Sequence, residues 1–355
     1  MKLKIAVLSG DGIGPEVNMK AVDVLKAISQ KFNHEFQFTE ALVGAVAIDE
    51  TGNPLPDETL EICMNADAVL FGAIGDPKYD NNPAATIRPE QGLLKLRKEL
   101  GLYANIRPIV AFDSLIDNSP LKRHIVEGTD LVVYRELIGG IYFGEKKLSA
   151  DGKTASDLCE YSEFEIERIS HLAFIAAQNR RKKVTLVDKA NVLETSRLWR
   201  KVVSRIAVLY PDVTLDFLFI DNAAMQLILN PRQFDVILTE NLFGDIISDE
   251  GSVIGGSIGL LASASIGKKY AMFEPIHGSY PQVKGKNIAN PIAAILSAAM
   301  LLAHFELFAE SKTIHDAVNY VLENKIVTVD LDINSKYGTI EVSEAIISRI
   351  ERDVS

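Results

Sequence analysis

Short apolar runs alternate along the chain with longer stretches of helical periodicity. Ile5 to Leu8, Ala68 to Phe71, Val184 to Val187, Leu215 to Ile220 and Asp235 to Thr239 are strand-length runs rich in aliphatic side chains. Continuous rather than alternating apolar runs belong to strands covered on both faces. His34 to Thr39 adds a further strand. Val17 to Ile28 repeats with helical period after Pro15, whose missing N–H is harmless in a first helical turn. Ser162 and Glu165 form a capping box that opens a helix running to about Gln178. Pro291 to Phe308 is a small-residue apolar helix, expected to be buried. Leu131 to Phe143 holds two β-rich runs around Gly139-Gly140, predicting a hairpin or an extended arm. The C-terminal segment mixes helix, a TVDL strand at 328–331 and a last helix. Strands alternating with helices in this way define an α/β protein with mainly parallel sheet.

Length and charge narrow the function. A chain of 355 residues supports two domains or one extended α/β unit. Its 47% apolar and 24% charged content is that of a soluble globular enzyme. The net charge of −11, spread along the chain, disfavours nucleic acid, which needs a basic patch. The longest apolar run, Pro291 to Ala303, is too short to span a bilayer, so no membrane is expected. Two distant cysteines, Cys63 and Cys159, have no His or Cys at metal-ligand spacing and point to a reducing, cytoplasmic compartment.

Several groups carry candidate chemistry. Asp245 and Asp249, four apart in LTENLFGDIISDEGSVIGG, share one helix face and repel unless a cation lies between them. Hard oxygen donors so placed suit Mg²⁺ or Mn²⁺, although a solvated helix face has the same pattern. Arg97, Arg107 and Arg135 stand beside apolar turns, as carboxylate anchors or as ordinary surface. Glu90, Leu93, Leu94 and Arg97 share one face of a helix that begins near Arg88. Lys189 and Asp221 follow predicted strands directly, where α/β sheets face their ligands, or else belong to charged loops. Two loops rich in Gly, Pro and Asn, Gly72 to Glu90 and Glu274 to Pro291, are long enough to be functional. G-D-G-I-G-P at 10–15 follows a strand and opens a helix, but it lacks the third glycine of the dinucleotide fingerprint.

Taken in order, GDGIGPEV, RPEQGLLKLRK, NIRP, RELIGGIYFG, DKANVLETSRLWR, ENLFGDIISDE and EPIHGSYPQVKGKNIANPIAAILSAAMLL resemble the β-decarboxylating dehydrogenase family over nearly the whole length. That family contains isopropylmalate, isocitrate, homoisocitrate and tartrate enzymes. The resemblance implies a non-Rossmann, isopropylmalate dehydrogenase-like fold with an active-site cleft between two α/β domains. The first would be 1–103 plus 257–355 and would bind cofactor. The second would be 104–256, with the dimer interface and an arm at about 131–160. Glu90, Leu93 and Leu94 match the pocket for an isopropyl group, which favours 3-isopropylmalate, oxidised and decarboxylated to 4-methyl-2-oxopentanoate in leucine biosynthesis. Arg97, Arg107 and Arg135 would hold the malate carboxylates. Asp245, Asp249 and Asp221 from the other subunit of a homodimer would hold Mg²⁺ or Mn²⁺. Lys189, also from that subunit, would take the C2 hydroxyl proton directly or through water, and Tyr142 would protonate the enol carbon. NAD would lie along His277, Gly278, Ser279, Gln282 and Asn290, with Gly75 and Glu274 also in contact.

Two positions depart from the family pattern. Gln282 stands where an aspartate usually binds the adenosine ribose, so NAD is expected with weakened discrimination against NADP. Asp76 replaces a more usual glycine for no reason evident in the sequence. A sibling activity on homoisocitrate, tartrate or another 3-substituted malate is the alternative. A non-catalytic regulatory subunit is disfavoured by the presence of Tyr142, Lys189 and the three aspartates.

Overall fold

The computed structural model describes residues 1–80 and 86–352, so 81–85 of the first long loop and 353–355 lie outside the described residues. The chain divides into two compact units, Met1–Leu102 with Ser257–Ser355, and Tyr103–Gly256.

The first unit opens with β1 (Lys2–Gly10), α1 (Gly14–Phe32), β2 (Glu35–Glu40), α2 (Ala45–Thr51) and α3 (Asp57–Met64). It continues with β3 (Ala68–Ala73), α4 (Pro77–Asp80) and α5 (Pro89–Glu99). The second unit begins with β4 (Ala104–Val110), α6 (Arg123–Val126), β5 (Asp130–Glu136) and a short ribbon of β6 (Lys146–Leu148) and β7 (Ala155–Asp157). Then come α7 (Glu163–Gln178), β8 (Lys183–Asp188), α8 (Glu194–Ala207) and β9 (Thr214–Phe219). α9 (Ile220–Leu229), β10 (Val236–Thr239) and α10 (Asn241–Ser252) complete this unit. The chain ends in the first unit with β11 (Ala262–Ile266), β12 (Ala271–Pro275), α11 (Ile292–His304), α12 (Phe308–Glu323) and α13 (Thr339–Arg352).

Strand order in the first unit is β2-β1-β3-β12-β11, parallel except for the antiparallel pair β11–β12. Beside this sheet α11 is apolar almost all round and is covered by α1, α12, β11 and β12. The apolar stretch read as one helix to Phe308 is two helices. After His304 the backbone turns through Glu306 in the left-handed region (φ 61°) and restarts at Phe308. The expected TVDL strand is a turn instead. Leu331 N–H bonds to Thr328 C=O (3.0 Å), and Asp330 is drawn off by the hydroxyls of Thr328 and Ser257 and the amide of Asn290.

The second unit is ordered β4-β5-β10-β8-β9, with only β4 antiparallel. Successive side chains of its strands serve opposite cores. Val132, Tyr134, Val184, Leu186, Val236 and Leu238 face Phe174, Trp199 and Val203 of α7 and α8. Leu131, Val133, Val187 and Ile237 face Ala223, Leu227 and Ile247 of α9 and α10. The β-rich run after Glu136 does not form the expected hairpin. Gly140 adopts φ 70° against the Tyr161 ring, and Gly140–Tyr142 is a single 3-10 turn. The ribbon lies later, at β6 and β7.

The capping box is present as read. Ser162 Oγ accepts from Glu165 N–H while the Glu165 carboxylate accepts from Ser162 N–H at 2.7 Å. Loss of one such cap costs about 1 kcal/mol. Ser162→Ala is therefore expected to lower the unfolding free energy by about 1 kcal/mol, read as a lower urea midpoint at constant m-value.

Candidate active site

In the second unit β5, β10, β8 and β9 run parallel, so their carboxyl ends share one edge. Chemistry collects there because each strand hands its chain to a loop or helix start. Arg135 is near the end of β5, Lys189 follows β8, and α10 starts two residues beyond β10. Asp221 follows β9 as the sequence placed it, though not in a charged loop. It lies in the first turn of α9, where the exposed amide ends of the helix favour a carboxylate.

Five predicted residues converge on α10. Asp245 Oδ1 accepts from Arg135 Nη1 (2.5 Å) and Arg107 Nη2 (3.4 Å), and its Oδ2 accepts from the Tyr142 hydroxyl (2.9 Å). Asp249 accepts from Arg107 Nη1 at 3.1 Å. The cationic partner that the acidic pair requires is thus Arg107, which bridges both carboxylates. The guanidinium groups are set by neighbours that sequence reading missed. Arg107 donates to Asn105 Oδ1 (2.6 Å) and Ser248 Oγ (2.7 Å). Arg135 donates through Nε and Nη2 to Asn241, which itself donates to the carbonyls of Leu137 and Gly139 (3.1 Å each). Only its place directly after a strand, in ENLFGD, could have marked Asn241.

Burial ranks these pairs. The Arg135 side chain is 3% exposed, and breaking a buried ion pair costs about 3–5 kcal/mol. Lys189 bonds Asp221 at 2.6 Å, but that aspartate is 66% exposed, and solvent screens such a pair so that it holds its partners weakly. Arg135 is a fixed anchor, whereas Lys189 can leave its partner cheaply. Burial first, then the Asp245 charge, pushes the Tyr142 phenol above its usual pKa, so it remains protonated at neutral pH. Burial also raises Asp249, against the pull of Arg107. Asp245 and Asp249 supply hard oxygens suited to a divalent cation. Among the described residues no three metal-holding side chains converge within one chain, so Asp221 does not join the pair there.

The remaining predicted residues lie in the first unit. Arg97 pairs with Glu274 at 2.8 Å, and its Nε is buried without a hydrogen-bond partner. Leu93 and Leu94 are half-buried beside it on α5. Gly75, at φ 115°, lies where a Cβ would come within 3.1 Å of Glu90 Oε1 and 3.6 Å of Ser279 Oγ. The GDGIGP turn packs against this group and is no phosphate cradle. A Cβ on Gly12 would sit 2.0 Å from Ser279 C=O, and Ile13 N–H bonds that carbonyl at 2.7 Å. Buried Asp11 accepts from the amides of Ala45, Val46 and Gly75. Asp76, unexplained in the sequence, opens α4 by accepting from Lys78 N–H at 3.0 Å, a contact glycine cannot make.

His277, Gly278 and Asn290 line a cavity of about 410 Å³ whose other walls include Ile13, Ile258, Val283, Ile288 and Asp330. His277 Nε2 is buried with no partner. A largely apolar slot with one unused ring nitrogen fits a heteroaromatic base such as adenine. Asn290 donates one amide hydrogen to Asp330 and accepts from the Ile292 N–H that starts α11. Gln282 is exposed in the 3-10 turn Pro281–Val283 and does not line the cavity. A second cavity of about 460 Å³, lined by Lys4, Gln37, Glu58 and Asn65 among others, contains none of the predicted residues.

This mixed α/β chain matches the isocitrate/isopropylmalate dehydrogenase family over residues 4–346 and belongs to it. Within that family it is 53% identical over 354 residues to a 3-isopropylmalate dehydrogenase of Bacteroides fragilis, covering 99% of this chain and 100% of the relative. It is 54% identical to the 3-isopropylmalate dehydrogenase of Priestia megaterium, covering 99% of this chain and 97% of the relative. In structure it is similar to isocitrate dehydrogenase from Methylococcus capsulatus, with a TM-score of 0.90 and 35% identity over 99% of this chain and 100% of the other.

Asn241 is fully buried and serves a charged donor and two carbonyls. Leaving such groups unsatisfied costs about 1–3 kcal/mol each. Asn241→Ala is expected to lose about 3 kcal/mol in denaturant unfolding and to release Arg135, whereas a loss below about 1 kcal/mol would show that the guanidinium does not depend on it.

Proposed function

We propose that the protein catalyses the NAD-dependent oxidative decarboxylation of (2R,3S)-3-isopropylmalate to 4-methyl-2-oxopentanoate and CO₂, in the cytoplasm and in leucine biosynthesis. The observation that carries this reading is the convergence of Arg107, Arg135, Tyr142, Asp245 and Asp249 at one sheet edge. Two names among its relatives at more than half identity, both 3-isopropylmalate dehydrogenase, support the substrate over isocitrate. So do Leu93 and Leu94, which offer apolar surface next to Arg97 where a third carboxylate would need a polar partner.

On this reading Arg107 and Arg135 clamp the carboxylates of the malate head, with Arg97 contributing from α5. Bidentate guanidinium contacts fix both distance and orientation. Lys189, released from its exposed bond to Asp221, accepts the C2 hydroxyl proton as the hydride departs. Tyr142 delivers a proton to the enol carbon once CO₂ has left, and its raised pKa keeps that proton available. NAD, held by His277, Gly278, Ser279, Gln282, Asn290, Gly75 and Glu274, supplies the hydride acceptor. Mg²⁺ or Mn²⁺ held by Asp245, Asp249 and Asp221 of a second subunit supplies Lewis acidity at the C2 oxygen. The small-molecule site is therefore shared across a homodimer. Exposed Met225 and Leu229 on α9, with Ile246 on α10, are apolar surface of the kind a partner covers.

Gln282 bears on the choice of cofactor. An exposed amide can bond a ribose diol but has no charge to repel a 2′-phosphate, so NAD is preferred with reduced discrimination. A panel of 3-isopropylmalate, isocitrate, homoisocitrate and tartrate with NAD or NADP tests both points. The highest kcat/KM is expected for 3-isopropylmalate with NAD. Equal turnover of isocitrate would remove the apolar-pocket assignment, and a preference for NADP would remove that of Gln282. Asp245→Asn should lose about a thousandfold in kcat, the several kcal/mol that a bound metal supplies, and should weaken Mn²⁺ binding measured by electron paramagnetic resonance. Undiminished Mn²⁺ binding would mean that Asp245 is not a ligand.

A further inference from the structure

The segment 137–144 carries Tyr142 and lies in no strand; its backbone is tied to neighbours near its start, through Leu137 N–H to Tyr103 C=O (2.9 Å), Gly140 N–H to Glu160 C=O (3.1 Å) and the Asn241 amide. Two ionisable side chains add to these bonds, one at each end. Glu136 is fully buried and accepts three hydrogen bonds. Its Oε2 accepts from Gly139 N–H at 2.8 Å, and its Oε1 accepts from Ile138 N–H and Arg168 Nη2 at 3.3 Å each. Gly139 and Gly140 let the backbone lie this close. A Cβ on Gly139 would come within 3.0 Å of Glu136 Oε2 and 2.7 Å of the Tyr161 ring, and one on Gly140 within 2.3 Å of the Tyr161 hydroxyl. At the other end the Lys146 ammonium donates to the carbonyls of Ile141 (3.2 Å), Tyr142 (2.9 Å) and Gly144 (3.4 Å). Gly144 in turn sits where a Cβ would meet Leu158 C=O.

A buried carboxylate is costly, and an apolar residue would pack β5 without that cost. Glu136 has no contact with Asp245, Arg107 or the Tyr142 hydroxyl among its hydrogen bonds, so its place is explained by the amides it holds. We infer that Glu136 and Lys146 are positioning residues that clamp the two ends of segment 137–144 and thereby aim the Tyr142 hydroxyl at the enol carbon. The inference rests on the proton-donor role proposed for Tyr142. It makes the clamp responsible for where the proton lands and leaves carboxylate binding to the arginines.

The complete enzyme with Mg²⁺, NAD and 3-isopropylmalate, run in D₂O, reads this directly. A positioned donor places deuterium on one of the two prochiral positions at C3 of the product, whereas solvent delivery labels both, and NMR distinguishes them. Tyr142→Phe, Glu136→Gln and Lys146→Ala are compared with wild type, and each variant is checked for folding by circular dichroism. In Glu136→Gln and Lys146→Ala, kcat is expected to fall by up to about a hundredfold, the scale of a misplaced reacting group, while KM for 3-isopropylmalate stays within about twofold. Deuterium is expected at both C3 positions in both variants. Lys146 is exposed, so its variant carries the test even if Glu136→Gln does not fold. A Lys146→Ala enzyme with wild-type kcat and stereospecificity overturns the inference, as does a folded Glu136→Gln enzyme with both. If Tyr142→Phe itself retains full stereospecificity, the proton-donor reading fails and takes the inference with it.

Discussion

Two guanidinium groups with almost no access to water constrain the second unit more than any other feature. Arg107 and Arg135 are 7% and 3% exposed, and a buried cation persists only where every donor finds an acceptor. Asn105, Ser248, Asn241, Asp245 and Asp249 supply those acceptors from β4, α10 and its first residue. The same requirement explains how an acidic pair four apart survives on one helix. Asp245 and Asp249 are neutralised by the arginines, so both carboxylates keep their place on one helix face. Asn241 extends the network to the carbonyls of Leu137 and Gly139, so the loop bearing Tyr142 is tied to the arginines that would hold its substrate.

The first unit solves a different problem, close approach of backbone segments. Gly10, Gly12 and Gly14 each bring the chain to a distance that a Cβ would forbid, against Ala73, Ser279 and Ser9. Asp11 uses the space so made to gather three amides, one of them Gly75. The segments assigned to the nucleotide are thus positioned by backbone packing rather than by ion pairs. That difference suits a ligand recognised largely by an apolar slot around His277.

Where local chemistry decides the structure, the sequence shows it plainly. Ser162 and Glu165 cap α7 as their spacing implies, the helix ends at Gln178, and the strands around Ile5, Ala68, Val184 and Val236 stand where apolar runs place them. The family motifs carried the α/β class and the membership. Legibility ends where tertiary partners override local preference. Ile141-Tyr142-Phe143 has strand propensity but is held as a turn by Tyr161, Asn241 and Lys146. Thr328 to Leu331 loses its strand because Asp330 is claimed by Ser257 and Asn290. Asn105, Asn241 and Ser248 could not be picked out, because a buried asparagine or serine looks in sequence like any loop or helix residue. Asp221 and Lys189 could be placed at strand ends but not in register with Asp245, since within one chain the described residues form no such group.

Under the proposed function the Asp245–Asp249 pair of one chain is completed by Asp221 and Lys189 of another. Lys189→Ala and Asp245→Asn chains, carrying different affinity tags, can be co-expressed and the mixed dimer purified through both tags. Each parent is inactive on this account. In the mixed dimer one site receives intact Asp245 from the first chain and intact Lys189 from the second, so two-fold symmetry predicts about half of the wild-type kcat with 3-isopropylmalate, NAD and Mg²⁺. A mixed dimer no more active than its parents would place all the catalytic groups within one chain and contradict the account.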